Sequence, residues 1–242
     1  MNESTPPVVE PGKKKKRERS TFREYFELIA ETAVFVFFVM TFVVQAFQIP
    51  TGSMEPTLLV GDFLLVNKLV YTNTDNPIDR IVLPRRPVRR QDIVVFKYPN
   101  ELNKDYVKRA IGLPGETLEI KNKQVFIDGR AIEEKYKVHN DPQMIGRNDT
   151  YQYSDSIRDN YGPVTVPAGH LFVMGDNRDN SADSRYWGFL PTSYLKGRPW
   201  VIYFSYNAER DAYQKTGLRD RLKKIVSFIP KARWKRIFRI IH

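Results

Sequence analysis

The chain has 242 residues and 41% hydrophobic content, enough for one well-buried domain with appendages. Its formal charge of +11 is uneven: residues 1–27 carry seven Lys/Arg against five Asp/Glu, residues 28–214 carry twenty-two of each, and residues 215–242 carry ten against one. A balanced middle excludes a nucleic-acid surface spread over the fold and leaves a basic end suited to an anionic partner such as a membrane, while the absence of cysteine excludes disulfides, thiolate metal sites and a cysteine nucleophile.

Residues 1–27 form a basic tail with the run Lys13-Lys14-Lys15-Lys16-Arg17, and the first twenty hold too few apolar groups to pack, so they read as disordered. From Leu28 to Phe47 the chain is almost wholly apolar. Twenty residues of helix rise about 30 Å, the thickness of a bilayer's hydrocarbon core. Glu31 and Gln45 lie within a turn of the ends, and the basic run ahead of the segment sets the N-terminus in the cytoplasm with the remainder outside. A buried core helix would be amphipathic, whereas Val34 to Val44 is apolar on every face. A cleaved signal peptide is the stronger rival, because Val44-Gln45-Ala46 has small or modest residues where processing needs them. The long segment ahead of the span, and the motif that begins at Pro50, favour a retained anchor.

Residues 48–214 read as a mainly β domain. Branched and aromatic runs recur at Phe63 to Val66, Ile93 to Tyr98, Thr117 to Ile127, Leu171 to Met174 and Trp200 to Tyr206, with Gly, Pro, Asn and Asp between them. Residues 129–163 are polar with weak periodicity, which predicts an insertion or subdomain on the main sheet. In the basic segment 215–242, Leu218, Leu222, Ile225 and Val226 fall at helical spacing before Pro230. Trp234, Ile237, Phe238 and Ile241 then alternate with Lys235, Arg236 and Arg239, a pattern suited to a lipid interface or to an element docked on the domain.

Three polar segments are candidates for chemistry. In Ile49-Pro50-Thr51-Gly52-Ser53-Met54-Glu55-Pro56-Thr57-Leu58, a glycine and two prolines can shape a turn that presents the Ser53 hydroxyl, although an ordinary turn has the same composition. A serine hydroxyl needs a base. His139 lies in the polar insertion, His170 in a turn and His242 at the end, so the better candidate is Lys108 in Asp105-Tyr106-Val107-Lys108-Arg109-Ala110-Ile111-Gly112-Leu113-Pro114-Gly115-Glu116. If desolvated, its amine becomes neutral more easily; if not, it is a surface charge on a strand. The stretch Gly175 to Arg185 follows a strand and reads as a hydrogen-bonded scaffold or a metal loop. The second fails because Arg178 or Ala182 falls where a calcium loop needs a ligand or glycine.

Together these segments, with Gly61-Asp62-Phe63-Leu64-Leu65-Val66, resemble the bacterial type I signal peptidases, which remove signal peptides from exported preproteins. The resemblance implies a mainly β fold of coiled antiparallel sheets behind one N-terminal transmembrane helix, with a short basic C-terminal helical segment. It implies a membrane-anchored serine endopeptidase with Ser53 as nucleophile and Lys108 as base. The oxyanion hole would comprise the Ser53 N–H and the hydroxyl of Thr51, which stands where the family has serine. Ser181 would orient Lys108, and Asp183 with Arg185 would form a supporting ion pair. Ile49, Met54 and Leu58 are candidates for a pocket admitting small residues, as in Ala-x-Ala sites. The expected partners are secretory preproteins and membrane phospholipid, with no nucleic acid, no metal and no cofactor. The expected setting is a monomer in the bacterial inner membrane, with the catalytic domain on the outer, periplasmic face.

Overall fold

A computed structural model of the chain describes residues 21–71, 85–145, 157–208 and 230–241. Helix α1 (Thr21–Phe38) continues into a π-helical stretch, Val39–Val43. The Arg23–Glu27 pair, 2.7 Å apart at helical spacing, supports its first turns. None of its residues is buried, and Phe22, Ile29, Val34, Phe35 and Phe37 all face outward. A 23-residue apolar helix from Thr21 to Val43 with its large side chains exposed has the length and surface of a membrane span. It begins seven residues before the span expected at 28–47 and ends four residues sooner. Val44-Gln45-Ala46-Phe47-Gln48 is strand β1 (Val44–Gln48), whose backbone groups pair with β2 (Asp62–Asn67) in the register Val44↔Asn67 to Gln48↔Phe63. The segment that resembles a processing site therefore lies in a paired strand.

The other strands are β3 (Ile93–Tyr98), β4 (Glu101–Gly112), β5 (Thr117–Lys121), β6 (Gln124–Ile127), β7 (Arg130–Ala131), β8 (Tyr161–Thr165), β9 (His170–Met174), β10 (Leu190–Pro191), β11 (Leu195–Ser205) and β12 (Arg239–Ile240). Eight make one antiparallel sheet in the order β1-β2-β11-β3-β4-β9-β10, with β12 on β11; four make a second in the order β7-β6-β5-β8. This bears out the mainly β expectation.

The period of two explains why both faces of the large sheet are covered. Along β3, Ile93 and Val95 join a core with Ile49, Met54, Leu58, Leu64 and Val66, while Val94 and Phe96 join another with Leu171, Val173 and Leu190. Along β9 the alternate residues Phe172 and Met174 pack instead with Ile111 of β4 and with Leu118 and Ile120 of the second sheet. Each such side chain, fully removed from water, contributes about 1.5 to 3 kcal/mol before chain entropy is counted.

Two expected regions differ. The smaller sheet starts at Thr117, ahead of the insertion expected at 129–163, because Leu118 and Ile127 join its strands across a hairpin; residues 146–156 lie outside the described ones. The helix expected over 217–228 also lies outside them, as do the first twenty residues. The described end, 230–241, forms a 3-10 turn, Trp234–Arg236, and β12. It docks on the domain: Ile241 is buried in the core containing Ile49 and Met54.

Candidate active site

Ser53 lies in a 3-10 turn, Gly52–Met54, that leaves β1 after Ile49 and Pro50. The turn is closed by Glu55 N–H donating to the Gly52 carbonyl at 3.1 Å, and Leu58 N–H returns to the Met54 carbonyl at 2.9 Å. Met54 and Leu58 are buried, so apolar burial fixes the two sides of a turn whose polar residue faces the other way. A third hold comes from the segment after β9. Asn177 N–H donates to the Ser53 carbonyl at 3.1 Å, and a Cβ on Gly175 would collide with that carbonyl and with Ser181 Oγ. Glycine is required there by close approach.

Lys108 reaches the turn from β4. It pairs opposite Val94, shares a strand face with Tyr106, and places Nζ 2.6 Å from Ser53 Oγ. It is 4% exposed, so the surface-charge alternative is overturned. Burial pushes its amine down from 10.5 to about 8, against the charges of Asp183 and Asp176, which raise it, and with Arg185, which lowers it. A usable fraction is thus neutral near physiological pH, when its lone pair can accept the Ser53 proton. Neither described histidine takes this place: His139 Nδ1 is 3.1 Å from Asp179, and His170 Nδ1 is 2.9 Å from the Ala168 carbonyl.

Two buried arginine–carboxylate pairs brace this dyad. Asp183 caps the short helix α2 (Ser184–Trp187), accepts from Gly175 N–H at 3.1 Å, and is forked by Arg185, with Nε and Nη2 each at 2.8 Å. Burial alone would raise the Asp183 carboxyl; the Arg185 charge and these hydrogen bonds hold it below its ordinary range. Arg109, next to Lys108 on the opposite strand face, forks Asp176 at 2.8 and 2.7 Å and lies 3.8 Å over the Tyr136 ring. Asp176 also accepts from Thr57 Oγ1 at 2.5 Å, tying the end of the Ser53 segment to the same support.

The dyad opens on a cleft of about 480 Å³. Phe47 to Thr51 line one wall, Asp105 to Lys108 the other, and Asp179 to Ala182 with Tyr186 complete it. Over Asp105–Lys108, β4 pairs only with β3, so its second backbone edge is unpaired among the described strands. Thr51 is extended, at φ −130° and ψ 155°, and makes no capping hydrogen bond; it lines the cleft beside Ser53. Ser181 lines it too, but its buried Oγ makes no hydrogen bond of normal geometry among the described residues, although it lies close enough to help lower Asp183. The expected Ser181–Lys108 bond is therefore not made here. Ile49 and Met54 line the cleft, while Leu58 is fully buried in the core and does not, because its helical-turn bond to Met54 directs it inward.

Nothing in the sequence singles out Thr57, Tyr106, Arg109, Asp176 or Asn177 individually. The Gly-Asp-Asn-Arg run marks a polar scaffold, but its spacing carries no sign of which side chain meets Arg109 or the Ser53 turn.

Comparison with known proteins gives a consistent picture. The family profile described as "Signal peptidase, peptidase S26" matches residues 22–204. Signal peptidase I of Pseudomonas aeruginosa is 36% identical over 230 residues, covering 85% of this chain and 79% of the relative. That of Aquifex aeolicus is 35% identical over 215 residues, covering 70% and 79%. That of Leptolyngbya laminosa is 36% identical over 211 residues, covering 84% and 89%.

Proposed function

Because the chain belongs to the signal peptidase family, peptidase S26, we propose that it removes signal peptides from exported preproteins by a serine–lysine acyl-enzyme mechanism. One observation carries the mechanistic part: the buried Lys108 amine, pushed down to about 8, lies 2.6 Å from Ser53 Oγ.

Neutral Lys108 takes the Ser53 proton as Oγ attacks the scissile carbonyl carbon. The carbonyl oxygen gains the negative charge and is met by the Ser53 N–H and the Thr51 hydroxyl. The Lys108 ammonium then protonates the leaving nitrogen, the C–N bond breaks, and the mature N-terminus departs, leaving an ester on Ser53. Water gives a proton to Lys108 and attacks that ester, and the proton returns to Ser53 as the signal peptide leaves. Asp183, Arg185 and Ser181 act as supports that hold the amine's surroundings.

The free backbone edge along Asp105–Lys108 suits a substrate lying extended in the cleft, where main-chain hydrogen bonds align it and alternate side chains enter the walls. Ile49 and Met54 supply apolar walls suited to alanine-sized residues, giving the Ala-x-Ala preference. The exposed apolar helix Thr21–Val43 is the anchor, with the basic N-terminus in the cytoplasm and the catalytic domain, as a monomer, on the periplasmic face of the inner membrane. The second contact with phospholipid is the exposed group Trp200, Trp234, Phe238 and Ile240.

The decisive assay incubates purified membranes carrying the full chain with a model preprotein. The parent releases the mature protein, whereas Ser53→Ala and Lys108→Ala lose at least about 10³ of the rate. Retained cleavage by Ser53→Ala overturns the proposal.

A further inference from the structure

The Gly52 carbonyl accepts two hydrogen bonds: one from Glu55 N–H at 3.1 Å, which closes the 3-10 turn, and one from the side-chain amide of Asn177, Nδ2 at 3.3 Å. That carbonyl belongs to the peptide unit whose N–H is that of Ser53. A trans peptide is planar, with its oxygen and hydrogen on opposite sides, so a group that fixes the oxygen also fixes where the N–H points. Donation to the oxygen polarises the unit as well and makes the N–H a stronger donor.

Asn177 is itself held. It is buried, its own N–H donates to the Ser53 carbonyl at 3.1 Å, and its Oδ1 accepts from Asn140 Nδ2 at 3.0 Å. The carbonyl of Gly52 can only accept, so the NH2 end of the Asn177 amide must face it, and Asn140 fixes that orientation from the other end. Asn177 thus holds the carbonyl oxygens on both sides of Ser53, one with its backbone and one with its side chain.

We propose that Asn177 is a positioning residue for the oxyanion hole, aiming and strengthening the Ser53 N–H through the Gly52–Ser53 peptide, with Asn140 locking the Asn177 amide. The inference rests on the proposed Ser53 mechanism. It explains why the irregular segment around Asn140 is held against the site: Val138 N–H donates to the Asp176 carbonyl at 2.8 Å, and Arg178 N–H to the Val138 carbonyl at 3.0 Å.

The test uses the full chain in detergent or vesicles, with the parent and Ser53→Ala run first. Loss of activity in Ser53→Ala establishes the nucleophile independently of the Asn177 and Asn140 variants. Asn177→Leu keeps the branching of the side chain and adds no charge near Lys108, but removes the donor to the Gly52 carbonyl. Direct removal of an oxyanion donor costs about 10² to 10³ in kcat, and an indirect effect is expected to be about tenfold. The expected result is that fall in kcat with KM within about twofold and an unchanged midpoint in the pH–rate profile, because Lys108 is not touched. Affinity for a peptide aldehyde, whose adduct with Ser53 carries the developing oxyanion, falls in parallel with kcat. A merely structural role would move KM or the pH midpoint as well. Asn140→Ala, an exposed change that leaves Asn177 in place, gives a smaller fall of about threefold with the same signature. Combined with Thr51→Val, either variant costs a different factor than alone, since both act on one oxygen. Unchanged kcat in both variants, or loss that tracks KM or the pH midpoint, overturns the proposal.

Discussion

Arg236, near the C-terminus, forks over the buried carboxylate of Asp62, with Nη2 to Oδ2 at 2.5 Å and Nε to Oδ1 at 3.2 Å, and the same Nη2 donates to the Thr57 carbonyl at 2.9 Å. Asp62 opens β2 and also accepts from Ser205 Oγ at 2.6 Å and Leu59 N–H at 2.8 Å. Thr57 in turn donates to Asp176, the partner of Arg109. One cation therefore joins the last described segment, the sheet and the end of the Ser53 turn.

Replacing Arg236 by alanine leaves Asp62, which has no exposed surface, without its closest countercharge. Breaking a pair of this kind costs about 2 to 4 kcal/mol, since the remaining carboxylate stays desolvated. For a domain of this size that lowers Tm by roughly 5 to 15 °C. Thermal unfolding of the full chain in detergent checks it, and a Tm unchanged within about 2 °C would remove the strap from the stability argument. Arg236→Lys keeps the charge but loses the fork, and should fall between the two.

The pH dependence follows from Lys108. In the proposed mechanism its neutral form is the base, so kcat/KM should rise with pH through an apparent midpoint near 8, the value to which burial pushes the amine. The same displacement has a consequence for stability. The folded value is below the ordinary 10.5, so between about 8 and 10.5 the unfolded chain binds more protons and stability rises with pH. Below about 8 the folded state carries the full cost of a buried ammonium, about 3 kcal/mol. Lys108→Met lacks this dependence and is therefore stabilised relative to the parent at pH 7, with the gap closing by pH 10. A rate profile flat from pH 5 to 9, or a Lys108→Met variant no more stable at pH 7, contradicts this assignment.

These two predictions draw on features of unequal visibility in the sequence. β2, β3 and β9 are legible because their branched and aromatic residues are continuous and bounded by turn residues. β4 is not: Glu101, Asn103, Lys104 and Asp105 make its exposed half polar, and only pairing with β3 reveals that it is one strand ending in the buried run Lys108 to Gly112. β1 is hidden in the apolar span, where hydropathy alone cannot separate the last turns of a helix from an alternating strand that finds a partner. Ser53 and Lys108 stand out through resemblance, since spacing alone favours bland readings of both. The Arg236–Asp62 pair has no local signal, because its residues are 174 apart in sequence and meet only when the end of the chain returns to β11.

Asp183 tests the electrostatics around Lys108. Its charge raises the Lys108 amine, and Arg185 lowers it. Asp183→Asn removes the first influence and leaves the second, so the rate midpoint should move to lower pH than in the parent. The same change strands a buried guanidinium and costs about 3 to 5 kcal/mol, so the variant must be assayed well below its lowered Tm. A midpoint that moves upward would mean that Asp183 acts on Lys108 through geometry and not through charge.

The proposed lipid contact of the β11–β12 face can be tested separately from anchoring by α1. Trp200, Trp234, Phe238 and Ile240 are exposed where β12 pairs with β11, and Phe238 is 77% exposed; Lys235 and Arg239 are exposed beside them. Large apolar side chains with adjacent cations suit an anionic headgroup interface, which accepts rings and charges together. In vesicles containing brominated lipid, the fluorescence of the full chain should be quenched, and Trp234→Phe should lose a measurable part of that quenching because Trp234 is one of only three tryptophans. The double variant Trp234→Ser/Phe238→Ser should cleave a membrane-embedded preprotein about three- to tenfold more slowly while cleaving a short soluble peptide at the parent rate, since the loss is in delivery to the bond and not in chemistry. Equal loss on both substrates would assign the two side chains to the fold, and unchanged quenching in Trp234→Phe would put this face in water.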